Sequence, residues 1–251
     1  MPLYEYDHLE EWAVARRHVA SEITLLCDRH HRERTAGLLP KDDVRRANSN
    51  PINVQAGASK PYSFHFSGTE ATVEIGENSF TSNNRGGPFN MVPLFIDGQA
   101  MIRFRVEDEH LLLSMRVFDE CNLQVLEIED NELVYSIIPW DIELVKTTLI
   151  IRVAQRNILL EIEFLPPDKI KINKGRFLLN GIEVLVRQEH IFVVNRSIFI
   201  KGTHIMNASA GLVLGNPSPD MSCMLRMPTI PRYSIDRNEA LLFEKQSQSK
   251  T

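Results

Sequence analysis

The sequence predicts an α+β protein: a small N-terminal strand–strand–helix unit followed by an all-β domain. Three observations carry this. Histidine and arginine clusters crowd residues 1–47, which hold four of the eight histidines. A stretch rich in Asn, Ser, Gly and Pro, "ANSNPINVQAGASKP", then breaks the pattern from Ala47 to Pro61. Beyond it, short segments alternate apolar and polar residues, and helix signals nearly vanish. The expected divisions are therefore 1–47 for the small unit, 48–61 for a linker and 62–215 for the β domain. Residues 216–251 form a Pro-rich tail expected to be poorly ordered.

The elements follow in order. "YEYDHLEEW", Tyr4–Trp12, contains an extended segment that presents Asp7 and His8. "SEITLLC" is a second extended segment, with β-branched and apolar residues leading into Cys27. "DRHHRERTAG" reads as a two-turn helix, opened by Asp28 as N-cap and stopped by Gly37. On it Cys27, His31 and Arg34 recur at i, i+4 and i+7 and share a face, whereas His30 points elsewhere. Lys41, Arg45 and Arg46 belong to a following helix. The β segments include "YSFHFSG", "MIRFRVED", "HLLLSMRVFD" and "LQVLEIEDN", separated by turn pairs such as Asp97-Gly98, Asp130-Asn131 and Asn180-Gly181. Residues 182–216 read as very short apolar pairs with polar corners. That texture fits a solenoid-like stack of coils, and a sandwich of hairpins fits it equally.

The bulk numbers bound the function. A chain of 251 residues can bury a real core. Its formal charge of −5 advertises no global affinity for nucleic acid, so any phosphate contact must come from a local patch. Three widely spaced cysteines, Cys27, Cys121 and Cys223, argue against a disulfide framework and for a reducing compartment. The N-terminus lacks the apolar run of a signal peptide, and later apolar runs are short, so a cytoplasmic protein with no membrane span is expected.

Eight residues, Cys27 to Arg34, hold a cysteine, two histidines and three arginines. Together with the upstream Asp7-His8, the order "DHLEEW…SEITLLCDRHHRER" resembles the HNH endonuclease motif, the ββα-metal nuclease unit. The resemblance covers about the first forty residues. The β region also resembles the C-terminal half of bacterial HNH-containing proteins. The resemblance implies that Asp7 and His31 hold a metal and that His8 is the general base. It implies that Arg34 meets phosphate, with Arg29 and Arg32 extending the contact. Two departures stand out. The family's Asn position falls at Glu22, and of a structural zinc site only Cys27 and His30 remain. That orphan pair raises the expectation of an N-terminally truncated reading frame.

The chemistry asks for these residue types. Cutting a phosphodiester needs an activated water and stabilised charge on the phosphate and leaving oxygen. An Asp–His pair suits one divalent ion, Mg2+, Mn2+, Zn2+ or Ni2+, without choosing among them. DNA is the expected partner, with protein contacts or self-association through the β domain. Two alternatives stay open: a catalytically inactive HNH-derived binding module, or a structural or assembly protein acting through its β domain. His18 is read as a surface residue, Trp12 and Trp140 as packing anchors, and His65, His110, His190 and His204 as structural. The acidic run Glu127–Glu132 is expected to repel nucleic acid.

Overall fold

The computed structural model describes residues 4–10, 16–17, 19–59, 61–107, 110–136, 141–216 and 221–233. Trp12, His18, Trp140 and most of the tail lie outside them. The chain divides into two compact units, residues 1–62 with 134–137 and residues 63–133 with 138–251. No described helix is long and apolar enough to cross a membrane.

The first unit has the expected strand–strand–helix order. Strand β1 (Tyr4–His8) pairs antiparallel with β2 (Ile23–Cys27), setting Asp7 opposite Thr24 and His8 opposite Ile23. Helix α1 (Asp28–Thr35) follows β2 without a loop. Its N-cap is Cys27 rather than Asp28, and no side chain caps it. Asp28 sits in the first turn, where its charge suits the helix dipole, and pairs with Arg32 at 2.9 Å. Gly37 ends the helix as expected, with φ +74° and its N–H on the Arg34 carbonyl at 3.1 Å. Helix α1 buries no residue. An eight-residue helix with no apolar face is marginal alone, so polar contacts to the strands must position it.

Helix α2 (Lys41–Asn48) buries Val44, and Thr24 Oγ1 on β2 donates to its Asn48 Oδ1 at 2.7 Å. The expected linker also carries helix α3 (Ile52–Ala56), opened after Pro51 and closed by Gly57 at φ +69°. Residues 134–137, expected within the β domain, cluster instead with the first unit. There Ser59 N–H donates to the Tyr135 carbonyl at 2.9 Å, and the Tyr135 hydroxyl donates to that of Tyr4. Burial, then this bond, pushes the Tyr135 phenol above its usual range.

The rest is β. An eight-stranded sheet runs in the order β20 (Cys223–Met227), β19 (Ala210–Leu214), β6 (Asn90–Ile96), β7 (Gln99–Glu107), β8 (His110–Phe118), β9 (Gln124–Glu129), β10 (Glu132–Tyr135) and β3 (Tyr62–Ser63). A ten-stranded sheet carries β11 (Asp141–Val145) through β17 (Ile198–Ile200) in sequence order. From its strand β14 (Lys169–Leu179) branch β4 (Glu70–Ile75), β5 (Asn78–Asn83) and β18 (His204–Met206). Buried Phe66 meets both sheets, edge-on to Phe104 of β7 at 5.4 Å and tilted against Phe164 at 6.4 Å. Burying each such ring contributes about 1.5–3 kcal/mol.

The turn pairs were legible for a physical reason. Asp97-Gly98, Asp130-Asn131 and Asn180-Gly181 each have positive φ at both residues and each joins two antiparallel strands. That is the backbone twist a two-residue hairpin requires. The solenoid expectation is not realised among the described residues. Successive short strands β15 (Ile182–Val186), β16 (Ile191–Val193) and β17 pair antiparallel, with Val184 opposite Val193 and Ile191 opposite Ile200. Stacked coils would align successive strands in parallel. The Pro-rich stretch contributes β20, which pairs with β19 in parallel. The acidic run is no bare acidic face either: Arg116 reaches Glu127 and Glu129, and Arg105 reaches Asp130 at 2.8 Å.

One charge cluster fastens the end of the described chain. Asp97 accepts from Arg232 Nη1 at 2.7 Å, from Asn180 Nδ2 at 2.6 Å and from Asn216 N–H at 3.1 Å. These bonds, Arg232 foremost, hold its carboxyl below the usual range. The stabilisation is therefore fully present above the ordinary carboxylate pKa of about 3.9 and is lost as pH falls through the lowered one. Asp97→Ala should cost on the order of 1–3 kcal/mol near neutral pH. In urea unfolding across acid pH, the variant should show a flatter acid limb than wild type. Parallel limbs would sink this account.

Candidate functional site

The site grows from strand alternation. Residues two apart on β1 share a face, so Glu5 and Asp7 point one way and Tyr4, Tyr6 and His8 the other. Helix α1 packs on β1 and β2 and brings His31 and Arg34 to the Glu5–Asp7 face. His31 Nε2 lies 3.9 Å from Asp7 Oδ1, and Arg34 Nε lies 3.7 Å from Asp7 Oδ2. His31 Nδ1 is in ion-pair contact with Glu5 Oε2. Asp7 and Arg34 are nearly closed to solvent, with side chains 15% and 14% exposed.

Asp7 Oδ2 is buried and makes no hydrogen bond. Arg34 stands at ion-pair distance but beyond hydrogen-bond reach. A buried carboxylate oxygen left this way costs about 1–3 kcal/mol or more, because nothing replaces the water it lost. The 3.9 Å gap to His31 is likewise too long for a hydrogen bond, yet shorter than two metal–ligand bonds of ~2.1 Å end to end. The unbonded oxygen is Oδ2, on the Arg34 side, and it is Oδ1 that faces the imidazole; this carboxylate–imidazole pair suits a divalent cation with two protein ligands, the rest of its shell being water.

The structure thus brings Asp7, His31 and Arg34 together. The other expected residues are placed differently. Cys27 Sγ lies 3.3 Å from His30 Nδ1, the two residues expected as the remnant of a zinc site. Among the described residues, no group of three or more His, Cys, Asp or Glu side chains is placed to hold a metal, so no four-ligand zinc site is assembled at this pair. Glu22, where the resemblance to the HNH motif would place an Asn, is taken by Arg17, whose Nε donates to it at 3.1 Å. His8 is half-buried and closes β1 on the face opposite Asp7.

The basic patch is internally neutralised. Arg29 pairs with Glu33 at 2.8 Å and Arg32 with Asp28 at 2.9 Å, one helical turn away in each case. Arg45 pairs with Asp42 and Glu10, and Arg46 with Asp43. Exposed pairs of this kind contribute only about 0–1 kcal/mol, so an incoming phosphate can displace a carboxylate at little cost. Sequence reading missed Glu5. The signal was there: it precedes Asp7 by two on a strand and so had to share its face. The four other described histidines serve elsewhere or lie exposed; His204 Nδ1 bonds Ser79 Oγ at 2.8 Å, and His190 packs edge-on to Phe199 at 5.2 Å.

No family model, curated protein or solved structure matches the chain.

Proposed function

We propose that this protein is a metal-dependent endonuclease that hydrolyses phosphodiester bonds in DNA through its N-terminal unit. The observation that carries this reading is the half-buried Asp7 carboxylate, with its buried Oδ2 unbonded and Oδ1 facing His31 Nε2 at 3.9 Å, on a strand–strand–helix unit. Asp7 and His31 would hold the ion. A divalent cation there supplies positive charge to the scissile phosphate and the leaving oxygen. His8 accepts the proton of the attacking water as the new P–O bond forms and the P–O3′ bond breaks; the departing oxygen takes a proton from solvent. Arg34 adds fixed charge beside Asp7, where a phosphate oxygen would approach. Arg29 and Arg32 exchange their carboxylate partners for backbone phosphates, contacts that position the duplex without reading bases.

The test is incubation of the full chain with supercoiled plasmid and Mg2+, Mn2+, Zn2+ or Ni2+. Nicked and linear products should form with metal and vanish with chelator. Intact plasmid with every metal would overturn the reading.

A second reading, a non-catalytic binding or assembly protein, has its own support in the larger unit. An open cleft of about 830 Å³ there is of mixed charge, lined by Lys174, Arg187, Glu161, Glu189, Phe192 and Phe199 among others. Phe192 and Phe199 stack at 4.3 Å, and Phe199 is 63% exposed. Plasmid retained in a mobility shift but left uncut would favour it.

A further inference from the structure

We infer that Glu5 is a positioning residue that fixes the tautomer of His31. The inference rests on Asp7 and His31 holding a cation, as proposed above. Neutral imidazole carries one N–H and one lone pair, and which nitrogen has which is set by its hydrogen bonds. In water the histidine side chain favours the proton on Nε2, the wrong nitrogen for a ligand facing Asp7. Here Nδ1 is in ion-pair contact with the carboxylate oxygen Oε2 of Glu5, which can only accept. Nδ1 must therefore carry the proton and donate it. The lone pair is left on Nε2, which faces Asp7 Oδ1 at 3.9 Å.

Strand geometry makes this arrangement possible. Glu5 and Asp7 leave β1 on one face, two residues apart, so one carboxylate meets each nitrogen of the same ring. Their environments divide the labour. Asp7 is 15% exposed and holds the unbonded oxygen, whereas Glu5 is 50% exposed and already paired. Glu5 is thus no ligand, and it sets the ring angle of one. Carboxylates that accept the second N–H of a metal-bound histidine typically raise metal affinity 10–100-fold.

The test uses the full chain as wild type, Glu5→Ala and Glu5→Gln. Long-range ¹⁵N–¹H NMR of the His31 ring, above the ordinary histidine titration range and without metal, reads the tautomer directly. Calorimetric titration with Mn2+ reads affinity. Wild type should show the Nδ1–H form. Glu5→Ala should shift the ring toward Nε2–H and weaken Mn2+ binding about 10–100-fold. Glu5→Gln, whose amide oxygen still accepts, should restore the tautomer and part of the affinity. A wild-type ring in the Nε2–H form, or a Glu5→Ala ring unchanged from wild type, overturns the inference. If wild type binds no Mn2+, the metal reading fails, and the NMR result alone still decides what Glu5 does.

Discussion

Asp7→Ala should lower metal-dependent plasmid cleavage by about 10²–10⁴-fold, read as initial nicking rates at saturating DNA. The magnitude follows from the role. A cation at the scissile phosphate contributes several kcal/mol of charge stabilisation, and each 1.4 kcal/mol is a factor of ten in rate. Asp7 is the only carboxylate facing the Nε2 side of His31 among the contacts described, so its loss leaves the ion one protein ligand. Raising the Mn2+ concentration should not restore the wild-type rate, because what remains is a lone imidazole opposed by Arg34. Asp7→Asn should fall nearly as far. It keeps the shape but removes the charge that balances Arg34 at 3.7 Å. Circular dichroism should show both variants folded, since β1 is held by its register with β2 and not by this side chain. Activity within a few-fold of wild type would remove Asp7 from the mechanism.

His8→Ala should cost about 10²–10⁴-fold in the same rate, the usual worth of a positioned general base. Its signature differs from that of Asp7. Mn2+ affinity by calorimetry should stay at the wild-type level, because His8 is no ligand in this scheme. Strand alternation makes this the sharper test. Asp7 and His8 leave β1 on opposite faces, so a role for His8 in proton transfer is separable from metal binding. Wild-type cleavage by His8→Ala would move the base elsewhere. A joint loss of cleavage and Mn2+ binding would make His8 a ligand instead.

Much of the fold was readable because it rests on local rules. The short extended segment "EYDH" and the β-branched, apolar run "ITLLC" pointed to β1 and β2, and Gly37 to the end of α1. The three turn pairs named their hairpins because Asn, Asp and Gly tolerate positive φ. What failed was long-range. Nothing local distinguishes a short strand that pairs antiparallel with its predecessor from one that stacks in parallel, and β15 to β17 chose the former. The parallel pairing of β20 with β19 depends on a partner ten or more residues away, so a Pro-rich stretch hid a strand.

The site was legible to a similar degree. Helical spacing placed His31 and Arg34 together, and the structure gives both to Asp7. Cys27 precedes the first helical residue and meets His30, its expected partner in the residual pair. The arginine run looked like an open phosphate patch because sequence shows charges and not pairings. Glu33 and Asp28 sit at the right helical distance to satisfy Arg29 and Arg32. The run Glu127–Glu132 likewise shows its charges and not its pairings, since its arginine partners come from the neighbouring strands β7 and β8.

The central claim is that Asp7 and His31 together hold one divalent cation. Calorimetric titration of Mn2+ into the full chain, wild type against Asp7→Ala, measures it without reference to DNA or turnover. The account predicts one saturable site per chain in wild type and none in the variant. No binding to wild type, or equal binding to both, would contradict it.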